Sequence, residues 1–118
     1  MIQAKAKVFM TRPYHPAAIA LLEEHYDVEV WRDDTTPPVA FLQEKVAECV
    51  GIFAESYDRI DEEVLSAAGA LKVISNRAVG TDNLDIPEAT SRGILIGNTP
   101  GLLAESCADL TFGLMLDV

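Results

Sequence analysis

Leu71-Lys72-Val73-Ile74-Ser75 is a short apolar run, Asn76-Arg77-Ala78-Val79-Gly80-Thr81-Asp82-Asn83 follows it, and Asp85-Ile86-Pro87-Glu88-Ala89 opens a helix. The order is strand, tight loop, helix. Asp85 with Glu88 three residues on has the pattern of a capping box, and Gly93 closes that helix. Ala78-Val79-Gly80 therefore sits in a strand-to-helix turn. Such a turn presents bare backbone N–H groups, and these bind anions such as carboxylates without any basic side chain.

The same alternation recurs on either side. Toward the N-terminus, Lys7-Val8-Phe9-Met10 reads as a first strand ending at Thr11-Arg12-Pro13, and Pro16 to Tyr26 as a helix with Ile19, Leu22 and Tyr26 on one face. Val28-Glu29-Val30-Trp31 is a second strand. Thr35-Thr36-Pro37-Pro38 announces a helix placing Val39, Leu42, Val46 and Cys49 at helical spacing. Val50-Gly51-Ile52-Phe53-Ala54 is a third strand. Asp61 caps a short helix through Val64, Leu65 and Ala68, with Gly69 as its stop. Leu71–Ser75 is the fourth strand, Ile94-Leu95-Ile96 the fifth, and Leu102–Val118 a final helix.

Short apolar strands separated by amphipathic helices imply a parallel sheet covered on both faces. Right-handed crossovers then give an α/β, flavodoxin-like, doubly wound five-stranded sheet in the order 2-1-3-4-5, a three-layer αβα arrangement. Ligands in such sheets bind outside the carboxyl ends of the strands. Here those ends are Thr11-Arg12, Ala54-Glu55-Ser56-Tyr57, Asn76 to Thr81, and Gly97-Asn98-Thr99. The final helix stands apart. Leu103, Cys107, Leu110 and Leu114 form one stripe, and Ala108, Phe112, Met115 and Leu116 add apolar surface around it. A helix apolar over most of its circumference is buried on more than one side. One side is expected on this sheet and the other on a partner that the chain does not contain.

Composition bounds the partners. At 118 residues, 49% hydrophobic and 24% charged, this is one soluble domain of ordinary size. A formal net charge of −10, from 19 acidic and 9 basic residues, argues against nucleic acid or an anionic membrane. No run approaches the roughly 20 apolar residues of a membrane span. The N-terminus, Met1-Ile2-Gln3-Ala4-Lys5, lacks a signal peptide's apolar stretch. The expected compartment is the cytoplasm. Cys49 and Cys107, placed on apolar helical faces, read as reduced thiols, and two cysteines without another soft ligand make no metal site.

Three stretches together resemble the D-isomer-specific 2-hydroxyacid dehydrogenases, with the glyoxylate/hydroxypyruvate reductase branch nearest. Ser75 to Asp85 looks like that family's substrate loop. Arg92-Gly93-Ile94-Leu95-Ile96-Gly97-Asn98-Thr99-Pro100-Gly101 and Ala104-Glu105-Ser106-Cys107-Ala108-Asp109-Leu110-Thr111 follow in the family's order and spacing. The resemblance implies reduction of a 2-keto acid to a D-2-hydroxy acid with NADH or NADPH. It implies substrate-carboxylate binding by the N–H groups at Val79 and Gly80, with Ala78 and Ser56 beside them. Val79 also approaches the nicotinamide, and Cys107 lines its pocket. It divides the chain into a substrate-binding unit, 1–101, and an interdomain helix, 102–118, leading to a Rossmann domain that is missing here.

The departures matter as much. Glycines stand at 51, 69, 80, 93, 97, 101 and 113, and no three fit G-x-G-x-x-G. The family's catalytic Arg, Glu and His find no counterpart, so no catalytic residue is assigned. His15 and His25 are proton donors by residue type alone. Asp82 and Asn83 read as turn and cap residues, Arg12 as a surface residue, and Asn98-Thr99-Pro100-Gly101 as the turn into the last helix. The expectation is a truncated substrate-binding half, inactive alone and binding no cofactor tightly. It associates as a homodimer through Leu102–Val118, by exchange of that helix between copies. A free-standing flavodoxin-like binding or scaffold module is the alternative. The sequence does not separate the two. A phospho-receiver is disfavoured by Met10-Thr11-Arg12 and Glu55-Ser56, which lack the acidic pair and acceptor Asp. A flavin binder is disfavoured by Arg12-Pro13-Tyr14-His15, which makes no hydroxyl-rich phosphate loop.

Overall fold

Each of the first four helices returns the chain parallel to the strand it left, as the alternation of short apolar runs requires. The structure, a computed structural model, describes residues 3–118; Met1 and Ile2 of the expected first unit lie outside the described residues. The order is β1 (Lys7–Met10), α1 (Pro16–Glu23), β2 (Asp27–Val30), α2 (Val39–Glu48), β3 (Gly51–Glu55), α3 (Glu62–Leu65), β4 (Val73–Arg77), α4 (Ile86–Ser91), β5 (Leu95–Gly97) and α5 (Ala104–Asp117). The five strands form one sheet in the order β2-β1-β3-β4-β5, with every pairing parallel.

The chain moves one way across the sheet from β1 to β2 and the other way from β2 through β3 to β5. Right-handed crossovers therefore place α1 on one face and α2, α3 and α4 on the other. The second face holds the core. Phe9, Ile52, Ala54 and Ile74 rise from the strands against Leu42, Val46, Val64, Leu65 and Ala89 from the helices. Each large side chain buried there contributes about 1.5–3 kcal/mol. Gly69 belongs to this packing. A Cβ on it would stand 2.9 Å from the Ala47 carbonyl, and its φ is not positive, so it permits close approach to α2 rather than a left-handed helix stop.

The α1 face is thinner. Leu22 and Tyr26 border an apolar groove of about 290 Å3 floored by Val8, Gly51, Phe53 and Val73. Leu95, on the same face, is 72% exposed.

Several boundaries differ from the sequence reading. β4 runs on through Asn76 and Arg77, because Ala54 and Glu55 of β3 stand opposite them in register. α1 ends at Glu23, and a last turn from Leu22 to His25 and Tyr26 hands the chain to β2. α3 stops at Leu65 with Ala68 beyond it. The capping box is half made: Glu88 N–H donates to Asp85 Oδ1, while the Glu88 carboxylate instead takes Arg92 Nε at 2.5 Å.

The largest correction concerns the last helix. It spans Ala104–Asp117, and every residue from 101 to 118 is exposed, so neither of its sides packs on the sheet. Gly101, at φ +78°, carries the chain off the sheet edge. The helix extends the molecule to 62 Å against 32 and 25 Å in the other directions. Among the described residues no helix is long and apolar enough to cross a membrane.

Candidate functional site

The carboxyl ends of β1, β3 and β4 converge on one edge of the sheet. Chain direction reverses between β1 and β3, which is where this topology opens a crevice. The loop expected to bind an anion lies one strand further on, after β4. Ala78 N–H donates to the Asn76 carbonyl at 2.9 Å, so Ala78 offers no free donor. The next two residues differ. Among the described residues, the N–H groups of Val79 and Gly80 meet no acceptor, and both residues are exposed. Gly80 has no positive φ, and the nearest atom to a Cβ placed on it would be Asp82 Oδ2 at 4.0 Å. Its glycine thus relieves no backbone strain. What it leaves is open space in front of the loop.

Two asparagines tie that loop to its neighbour. Asn76 lies on the packed side of β4, a polar residue in register with Ile74. It is 1% exposed, and its Nδ2 donates to the Gly80 carbonyl at 3.2 Å. Asn76 and Asn83 exchange amide hydrogen bonds at 3.1 Å in both directions. Asn83 Nδ2 also donates to the carbonyls of Glu55 and Asp58, both at 2.9 Å. The loops after β3 and β4 are thereby one hydrogen-bonded unit. Asn83 is more than a cap, and one signal for this was present: an Asn at position 76 falls on the apolar period of a strand, where only a bonded polar group is tolerated.

A second polar cluster lies between β1 and β3. Thr11 Oγ1 donates to Asp58 Oδ2, and the same oxygen accepts the Glu55 N–H at 2.8 Å; all three residues are buried. Arg77 pairs ionically with Glu55 Oε1, directly across from it in the sheet, without hydrogen-bond geometry. The Arg77 guanidinium lies 4.8 Å from the Tyr14 ring centroid, and that of Arg12 5.0 Å from the Tyr57 ring. Arg12 is half-buried rather than a free surface residue, and its Nε is buried with no acceptor.

The Tyr14 hydroxyl is also buried without a partner, and burial first, then the Glu55 carboxylate, pushes its pKa well above the usual value. A raised folded-state pKa means that the unfolded chain releases this proton first, so stability falls as pH rises past about 10. Tyr14→Phe is expected to flatten that fall. Thermal midpoints between pH 8 and 11 for both proteins check it, and parallel curves would refute it.

The remaining residues are dispersed. Ser56 is exposed and lines an open cavity of about 630 Å3 with Arg59, Asp61, Asp82, Asn83 and Asp85. Cys107 is exposed on α5, beyond a cavity of about 340 Å3 formed by Arg77, Thr99, Leu102 and Leu103. Cys49, at the end of α2, is buried, and that burial pushes its thiol pKa up, as for an inert core residue. His15 caps α1, accepting the Ala17 N–H at 3.2 Å, and His25 stands on the surface 4.0 Å from Glu24. Neither reaches the loop through any hydrogen bond. Among the described residues no group of three or more His, Cys, Asp or Glu could hold a metal ion.

Val79 and Cys107 both present exposed side chains.

The family model of the D-isomer specific 2-hydroxyacid dehydrogenase catalytic domain matches residues 8–113. The chain is 46% identical over 114 residues to the glyoxylate reductase of Thermococcus litoralis, covering 97% of this chain and 34% of that protein. It is similar to a crystal structure of a Thermus thermophilus protein at a TM-score of 0.85 and 41% identity, over 93% of this chain and 35% of that one. A D-lactate dehydrogenase of Aquifex aeolicus, solved with NAD and lactic acid, matches at a TM-score of 0.71 and 26% identity, over 93% and 32%. The chain spans about a third of the length of these relatives. A parallel sheet in the order 2-1-3-4-5 and a family match over residues 8–113 agree: the chain belongs to the D-isomer-specific 2-hydroxyacid dehydrogenases, and corresponds to part of their catalytic domain.

Proposed function

We propose that this chain is the substrate-binding part of an NAD- or NADP-dependent reductase of small 2-keto acids, with glyoxylate as the first candidate. The carboxylate is held by the N–H groups of Val79 and Gly80, and Ser56 at the end of β3 faces the rest of the substrate. The observation that carries this is the pair of exposed, unpartnered N–H groups in a loop whose sequence matches the family. A carboxylate bound by two backbone donors gains charge-assisted hydrogen bonds without a basic side chain. Ketone reduction further needs a hydride donor and a positioned acid. A nicotinamide cofactor supplies hydride in such chemistry, and in the complete enzyme Val79 and Cys107 would border it. The 118-residue chain by itself is then inactive, and α5 makes a homodimer contact.

Titration with glyoxylate and with NADH, followed by amide chemical shifts, tests this reading. Glyoxylate is expected to move Val79 and Gly80 with a dissociation constant on the order of 1 mM. NADH is expected to move nothing. No shift from either in a well-dispersed spectrum would replace the proposal by the free-standing scaffold reading. Glyoxylate-dependent NADH oxidation by this chain would overturn its inactivity.

A further inference from the structure

Among the described residues every peptide bond is trans, so each carbonyl and the N–H that follows it in the same plane point in opposite directions. A group that holds a carbonyl therefore aims the next N–H. Three successive carbonyls of the loop are held this way. The Ala78 carbonyl accepts the Thr99 N–H at 2.8 Å. The Val79 carbonyl accepts Asn98 Nδ2 at 2.8 Å. The Gly80 carbonyl accepts Asn76 Nδ2 at 3.2 Å. In the same order these bonds fix the planes carrying the N–H groups of Val79, Gly80 and Thr81. Among the described residues none of those three N–H groups has an acceptor.

We propose that Asn98 is a positioning residue for substrate binding: its side-chain amide holds the 79–80 peptide so that the Gly80 N–H faces the carboxylate, with Thr99 and Asn76 doing the same for the N–H groups of Val79 and Thr81. The Thr81 N–H is thereby a third donor of the site. This rests on the carboxylate reading above. Asn98 stands 19 residues from Val79, in the turn between β5 and α5, and is exposed. Its amide is not needed to bury anything. A neighbouring backbone N–H, that of Thr99, could secure one plane for any sequence. The Val79 carbonyl instead depends on a side chain, so the aim of the Gly80 N–H is set by residue identity at position 98.

The test uses Asn98→Ala and the isosteric Asn98→Asp, which keeps the shape and removes the donor. Residual dipolar couplings read N–H directions in each protein, and glyoxylate titration reads binding. In both variants the Gly80 coupling is expected to change while that of Val79, held by the Thr99 backbone, does not. Glyoxylate affinity is expected to fall about tenfold, the effect of one misdirected charge-assisted hydrogen bond. Amide exchange in β3 is expected to stay unchanged, which separates positioning from general loosening. An unchanged Gly80 coupling in both variants would overturn the proposal, whatever the affinity. Changed couplings with unchanged affinity would also overturn it. If the unsubstituted chain gave no glyoxylate shift, the carboxylate reading would fail with it, whereas binding in the unsubstituted chain and unaltered couplings in the variants would refute the positioning role alone.

Discussion

Asn83→Ala is expected to lower the unfolding free energy by about 2–3 kcal/mol and to abolish the glyoxylate-induced shifts at Val79 and Gly80. The Asn83 amide gives the Asp58 carbonyl its side-chain donor, shares the Glu55 carbonyl with the Asp58 N–H, and closes the paired bond with Asn76. Alanine can replace none of these. The Asp58 carbonyl loses that donor, and Asn76, 1% exposed, keeps only its contact to Gly80. An unsatisfied buried group costs about 1–3 kcal/mol, and two are created or weakened together. For a domain of 118 residues each kcal/mol lowers the thermal midpoint by about 4 °C. Urea unfolding followed by tryptophan fluorescence measures the first effect, since Trp31 packs on Phe41 beside the core. A loss below about 1 kcal/mol would mean that the two loops are held by packing, and that the amide lattice is incidental.

Self-association should respond even more sharply to the surface of α5. Leu110 is 65% exposed, Leu114 59%, Phe112 67% and Met115 68%, along a helix that packs on nothing else in the molecule. Contiguous apolar surface of this kind is seldom left to water. The chain is expected to sediment as a dimer. The double substitution Leu110→Lys, Leu114→Lys is expected to weaken that dimer by more than about a thousandfold. A twofold interface would lose each leucine twice, at about 1.5–3 kcal/mol per buried side chain. The unfolding free energy of the monomer should stay within about 0.5 kcal/mol, because α5 buries none of its residues on the sheet. A concentration-independent monomer before substitution would refute the dimer. A large stability loss in the variant would mean that the helix docks on its own domain in solution.

The sheet was legible because its information is local. Phe9, Ile52 and Ile74 each sit in a run of four or five residues whose β-branched and aromatic content marks a buried strand, and the intervening helices show their own period. Strand order followed from right-handed crossovers taken with the simplest doubly wound arrangement. The position of the loop between β4 and α4 was equally legible, since a glycine between a strand and a helix start needs no distant partner to be noticed. The family motifs placed Val79 and Gly80 within it.

The bonds that shape the site were not legible. Thr11 reaches Asp58 across 47 residues, Asn83 reaches Glu55 across 28, and Asn98 reaches Val79 across 19. No periodicity encodes a partner at such a distance, because it is set by the register of β1, β3 and β4 and by how far each strand runs. Ala78 illustrates the limit. By residue type it belongs to the loop as fully as Val79 does, and only the folded chain turns its N–H inward to Asn76.

The final helix failed for the complementary reason. Its apolar residues read as a demand for burial on more than one side, and that demand is real, but hydrophobic pattern states how much surface must be covered and never by what. The sequence by itself determined the α/β class, the strand order and the position of the glycine-bearing loop after β4. The tertiary structure alone decided which donors in that loop are free, which asparagines bond its carbonyls, and that α5 leaves the sheet, because each depends on the spatial meeting of segments that the chain separates.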